Sequence, residues 1–206
     1  MDFVEALGLG GAAAIAAIFG SMLGLGGGVF LVPIFTLFFG IDPKIAIAAS
    51  AVSVITNSVV GSRNHLRNGF TNVHLAMLLG LTTVTGAIVG AAIALVADAS
   101  VLNFIFGIVL LAAAISMLVR RQVPIPNSEP GDPDPYLLRA TFHDRATGCD
   151  VTYIPQRVPV GLGASGFAGV LSGLLGVGGG VIQVPMMNLL MRVPMKAAAG
   201  TSTFLV

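Results

Sequence analysis

Charge is scarce in this sequence. Only 9% of its 206 residues are Asp, Glu, Lys or Arg, against roughly 25% in soluble domains. With 55% hydrophobic residues, that scarcity excludes a soluble globular domain and leaves an integral membrane protein. Cysteine is nearly missing as well: the single Cys149 excludes an intrachain disulfide and gives no cysteine-built metal cluster. A net charge of +1 says nothing about nucleic acid, and with no basic stripe present no nucleic-acid partner is expected. No Asp or Glu interrupts a long apolar run, and His65, His74 and His143 lie in or beside loops without a nucleophile or ligand cluster. The sequence therefore calls for no enzyme, cofactor or metal, and a proton relay is not visible in it.

What charge there is separates apolar runs at about residues 6–41, 45–62, 68–97, 99–119 and 158–191. A spanning helix needs about 20 such residues. The first five residues carry Asp2 and Glu5 where a signal peptide would be positive, so the first run is read as retained.

Two of the runs share a long repeat. Gly24-Leu-Gly26-Gly27-Gly28-Val29 returns as Gly176-Val-Gly178-Gly179-Gly180-Val181, each followed four residues later by Pro33 or Pro185. Aligned without a gap, residues 8–54 lie over 160–206 with about one identity in three, including Leu37 with Leu189, Lys44 with Lys196 and Ser50 with Ser202. An internal repeat of this length is a statement about architecture. Because Val206 corresponds to Val54, the expectation is that these residues belong to a chain roughly one-third longer; a transcript ending at Val206 would refute it.

Each glycine cluster splits its run into a long arm and a short one. The short arm, residues 29–39, rises only about 16 Å at 1.5 Å per residue, about half of a hydrocarbon core near 30 Å. If the first run crossed once, Arg192 and Lys196 would fall opposite Arg63, Arg67, Arg120 and Arg121. If it enters and returns, all six collect on one side, as short cytoplasmic loops prefer, and Asp2, Glu5, Asp42 and Asp98 collect on the other with Lys44. The hairpin is the better reading. Three crossings, residues 44–61, 73–96 and 101–119, then separate the copies, and an odd number inverts the second copy. The expected fold is all-α and polytopic: a first repeat over 1–119, a cytoplasmic linker over 120–158, and the start of a second, inverted repeat over 159–206. The linker is polar, with Pro124, Pro126, Pro130, Pro133 and Pro135, and reads as a solvated connector. Its runs 136–142 and 151–154 suit a small β-hairpin. Gly86-Ala-Ile-Val-Gly90 with Ala94 is a small-residue packing stripe.

Broken helices carry the chemistry. A half-helix N-terminus bears about half a positive charge and attracts anions, so Gly26, Gly27 and Gly28 with Gly178, Gly179 and Gly180 would open two amide-lined ends onto a small anionic substrate. A P-loop is excluded, because no Lys-Ser or Lys-Thr follows the glycines. Ser50, Ser202, Thr201 and Asn57 are the candidate hydroxyl and amide donors, beside Ser53, Thr56, Ser58 and Thr203. Gln183, whose repeat partner is Leu31, is the polar residue that breaks the symmetry. Lys44 and Lys196 read as helix-end anchors.

The glycine break with its Val and Pro, Ser50 on a small-residue helix, and Gly61-Ser-Arg-Asn-His65-Leu-Arg67-Asn-Gly69 together resemble the sulfite exporter TauE/SafE family. The likeness runs over residues 9–119 and 161–206. It implies a polytopic plasma-membrane carrier, bacterial or archaeal, for sulfite, sulfoacetate or related sulfonates, with the breaks near the transport site. A homodimer is compatible with it. The sequence reading is thus a secondary exporter of a small anion in the lipid bilayer. Its rival is a non-transporting scaffold whose linker binds a cytoplasmic partner.

Overall fold

The computed structural model describes residues 8–11, 13–16, 18, 27–118, 133–144 and 148–206. Residues 8–11 and 13–16 are helical. A short helix α1 (Gly28–Pro33) follows and runs into a π turn (Ile34–Phe38). Next come α2 (Pro43–Arg67), α3 (Val73–Val96) and α4 (Ala99–Leu118), then strands β1 (Ala140–Asp144) and β2 (Cys149–Tyr153). The chain closes with α5 (Val158–Leu175), α6 (Gly180–Leu189) and α7 (Met195–Leu205). The described residues are mostly helical, and α2, α3 and α5 are long and apolar enough to cross a membrane. Their outward faces are apolar, with Val52, Ile55 and Val59 on α2 and Leu81, Val84 and Ile88 on α3 exposed. Such a surface suits acyl chains rather than water.

Local chemistry sets the ends of α2. The Asp42 carboxylate accepts from the Lys44 amide at 2.8 Å with Pro43 in the first turn, a favoured N-terminus. At the other end Gly69 takes φ 70°. Its N–H donates to Leu66 O while Phe70 N–H donates to His65 O, the paired bonds of a Schellman stop. The helix thus runs further than the sequence reading, and Arg63, His65 and Arg67 lie on its last turns instead of in a loop.

In both copies the long arm packs against the short one. In the second, Gln156 N–H donates to Met191 O at 2.9 Å, joining the start of α5 to the end of α6. In the first, a methyl on Gly8 would lie 3.5 Å from the Phe39 ring, and Leu9, Ala13 and Ala16 pack with Leu31, Phe35 and Phe39. After each short arm the corner residue is left-handed: Gly40 at φ 61° and its repeat partner Arg192 at φ 53°.

The small-residue stripe packs as read. A methyl on Gly86 or Gly90 would strike the carbonyl oxygens of Gly166 and Val170, and one on Gly169 or Gly173 those of Thr83 and Ala87. These contacts advance together along both chains, so α3 and α5 run parallel at backbone contact distance. In contrast, α2 and α7 run antiparallel. Val54 and Val206 both flank Gly178, whereas His65 lies against Gly200. Arg63, Arg67, Arg192 and Lys196 therefore gather at one end of the bundle. Asp42 lies at the other, where Lys44 Nζ donates to Leu95 O at 3.4 Å.

The β-hairpin forms with Ala140 opposite Tyr153 and Asp144 opposite Cys149. It is more than a solvated connector. Leu138, Phe142 and Tyr153 are buried against α3, α5, α6 and α7, and Phe142 makes edge contacts with Phe70 and Tyr153 at 5.6 and 6.3 Å between ring centres. Burial raises the Tyr153 hydroxyl pKa to about 12 despite a hydrogen bond with Asn72. The proline-rich composition hides this apolar face, because Leu138 precedes β1 while Phe142 and Tyr153 lie on different strands. Asn72 is the clamp: Oδ1 accepts from Leu75 N as the N-cap of α3, Nδ2 donates to Leu138 O at 2.8 Å, and its N–H donates to Thr201 Oγ1 at 3.1 Å.

Candidate functional site

The two glycine breaks meet inside the bundle. Gly28 is buried, and a methyl there would lie 2.8 Å from Val177 Cα and Val54 Cγ2. Gly176 caps α5 at φ 62°, where a methyl would come within 2.5 Å of Ile47 O. At Gly178, with φ 72°, it would lie 2.7 Å from Val54 and 2.9 Å from Val206. Glycine is required at both latter positions twice over, for a left-handed backbone and for close approach. Gly27 also caps α1 in the left-handed region at φ 88°, whereas its partner Gly179 is right-handed at φ −56°. Gly180 opens α6 and is buried. Gly26 lies outside the described residues.

Ser50 joins the halves. It is fully buried, and its hydroxyl is within 2.8 Å of Gly176 O and 2.9 Å of Ile47 O. One proton shared between two carbonyls leaves none for a ligand in this arrangement. Thr201 Oγ1 accepts from Asn72 N–H at 3.1 Å, which ties it to the start of α3 without using its own proton. Ser202 is fully buried and its Oγ has no partner. Asn57 is half-buried on α2, three residues past Val54.

Gln183 is fully buried and leans back on Gly179, whose methyl position is 3.2 Å from Gln183 Cδ. Its Nε2 donates to Thr83 Oγ1 at 2.9 Å and to Ser165 Oγ at 3.3 Å, and those two hydroxyls are 2.6 Å apart. Thr83 also lies 2.8 Å from Leu79 O. The amide oxygen Oε1 has no partner. Thr83 and Ser165 escaped the sequence reading, although Thr83 occupies the same α3 face as Gly86 and Gly90, three and seven residues before them. Among the described residues, no cluster of His, Cys, Asp and Glu is placed to hold a metal ion.

Paired glycine breaks, packed against each other within apolar helices, match one family model over residues 9–206: sulfite exporter TauE/SafE. The chain belongs to this family. Among relatives of this TauE/SafE chain, a protein named probable membrane transporter protein YunE from Bacillus subtilis (strain 168) is 29% identical over 171 residues, covering 82% of this chain and 60% of the relative. A probable membrane transporter protein from Xylella fastidiosa (strain 9a5c) is 27% identical over 161 residues, covering 78% of this chain and 54% of its own length. The TauE/SafE chain thus spans little more than half the length of these relatives. No solved structure matches it significantly. Family and fold together make it a multi-pass membrane protein.

Proposed function

We propose that this chain forms part of a secondary carrier that exports a small sulfur-containing or organic anion, such as sulfite or a sulfonate, across the plasma membrane. The observation that carries the reading is the meeting of the two breaks, with Gly28 against Val177 and Ser50 on the Gly176 carbonyl. An inverted pair of repeats is supported by the antiparallel run of the equivalent helices α2 and α7. It is also supported by hairpins that close at opposite ends, one at Phe39 and the other at Met191. Carriers built this way bind near the midplane, at broken helices. In α6 the first intrahelical donors are Ile182 and Gln183, both to Gly179 O. The amides of Gly180 and Val181 precede that ladder and form the positive end.

Gly28, Gly176 and Gly178 leave no room for a methyl group, and on this reading the tight contacts belong to a closed state. Parting the halves would free Ser50 from Gly176 and admit an anion between the breaks. A scaffold would need the linker for its partner, and there Leu138, Phe142 and Tyr153 are spent on the bundle, while Tyr136 and Leu137 stay exposed. The test is flux from liposomes containing the purified full-length protein and loaded with sulfite, sulfoacetate or chloride. Protein-dependent release of a sulfur oxyanion, with thiol-reagent access at a cysteine placed at 179, is the expected result. No protein-dependent flux of any of the three anions would overturn the carrier.

A further inference from the structure

Serine and threonine in a helix commonly return the hydroxyl to a carbonyl one turn back. Ser50, Ser53, Thr56 and Ser62 do so on α2, and Thr203 does so on α7. Ser58 and Ser202 do not. Both are buried, and neither Oγ has any partner. A buried hydroxyl that forgoes its own helix is costly unless another group uses it in some state of the molecule.

Each lies one turn from a valine that flanks Gly178. Ser58 is one turn beyond Val54 on α2, and Ser202 is one turn before Val206 on α7. Val54 and Val206 both flank Gly178, and the helices are antiparallel. The two displacements therefore lead the same way, from the glycine breaks toward the basic end. Farther along, His65 lies against Gly200 with a buried, unpartnered Nδ1. Arg63 lies just before it and Arg67, Arg192 and Lys196 lie beyond it. Neither α2 nor α7 contains an acidic residue. Neutral donors inside and cations at the mouth select a small oxyanion over a cation.

We propose that the seam between α2 and α7 is the anion's route from the basic end to the glycine breaks, and that the Ser58 and Ser202 hydroxyls bind the oxyanion within it. The inference rests on the carrier reading and adds to it a route and Ser58.

The test is sulfite flux in proteoliposomes for Ser58→Ala and Ser202→Ala, with the detergent melting temperature measured alongside. The control is Thr85→Ala, whose hydroxyl is exposed and bonded to its own helix. If the hydroxyls only occupy space, alanine removes two orphan donors, stability holds or rises, and flux is unchanged. On the proposal, each variant loses about tenfold in flux, mainly through KM, while Tm holds. The threonine variants, which keep a hydroxyl, recover most of the loss. Flux within twofold of the parent for both alanine variants overturns the seam and leaves the carrier standing. Lost flux with a lowered Tm that threonine does not restore overturns it too. A parent protein that moves neither sulfite nor sulfoacetate overturns carrier and seam together.

Discussion

The two glycine-broken repeats share a plan and differ in what their short arms carry. In the first, α1 passes Pro33 and loosens into a π turn over Ile34–Phe38, with Leu31 fully buried among Ala16, Phe35 and Ala46. In the second, α6 keeps α geometry through Pro185 to Leu189, and Gln183 stands where Leu31 does. The first arm is an apolar strut. The second is tied by Gln183 to Thr83 and Ser165, and so to α3 and α5. Its outer end is roofed by the linker through Tyr153, Met191 and Val193. Repetition thus supplies the break, and divergence decides which half is held by polar bonds. On the proposed function, halves that must part have reason to differ in this way.

The largest effect tests how tightly the breaks are joined. Gly176→Ala adds left-handed strain of about 1–2 kcal/mol to an overlap with the Ile47 carbonyl worth about 1–3 kcal/mol. A loss near 3 kcal/mol is expected in reversible unfolding in detergent. Gly40→Ala, also left-handed but with nothing within 4 Å, should lose only about 1 kcal/mol. Equal losses would show that the breaks yield to each other without strain.

Exchanging the arm residues comes next. Leu31→Gln buries an amide among Ala16, Phe35 and Ala46, at about 2–3 kcal/mol for its unmade bonds. Gln183→Leu removes the orphan Oε1, and Thr83 and Ser165 keep Leu79 O as acceptor. Its stability should stay within about 1 kcal/mol of the parent. Symmetric losses in urea titrations would mean that the Gln183 cluster holds the second arm more firmly than its bonds suggest.

Much of this plan is written in the sequence. The repeat, the short arms, the crossings α2 and α3 and the gathering of Arg63, Arg67, Arg192 and Lys196 at one end follow from glycine spacing and charge, which act locally or through the bilayer. The third expected crossing, residues 101–119, is not among the described helices long and apolar enough to span, where α5 stands instead. The partners of the candidate residues do not follow. Ser50 and Ser202 are identical in the alignment, yet one is bound to a carbonyl of the other half and the other is unpartnered. That difference arises from packing across 126 residues of chain. Asn72 was equally silent, since only the folded chain brings Leu138 and Thr201 to it.

The roof over the second hairpin gives a pH test of intermediate size. Tyr153 is buried, with its pKa raised from 10.0 to about 12, so the folded state favours the neutral phenol. Its contribution is complete below pH 10, the unfolded value, and is lost as pH rises from 10 to about 12. At about 1.4 kcal/mol per unit, the fall is roughly 2 kcal/mol, read from melting temperatures across that range. Tyr153→Phe should lose about 1 kcal/mol at neutral pH with the Asn72 hydrogen bond and flatten the alkaline fall. A fall that persists in Tyr153→Phe would place the titration elsewhere and detach the roof from it.

The smallest effect tests whether the corners after the two short arms are the same piece of backbone. Gly40 and Arg192 align, both are exposed, and both are left-handed, at φ 61° and 53°. An L side chain in that region costs about 1 kcal/mol or slightly more, partly offset by the chain entropy that glycine loses on folding. Arg192→Gly, measured against Arg192→Ala so that the charge is absent from both, should therefore gain what Gly40→Ala loses. The expected value is roughly 0.5–1 kcal/mol with opposite sign. Unequal values would show that one corner bends under its neighbours. The second corner is the candidate for that, because Val193 N–H donates to Met187 O and Asn188 Nδ2 to Val193 O immediately beside it.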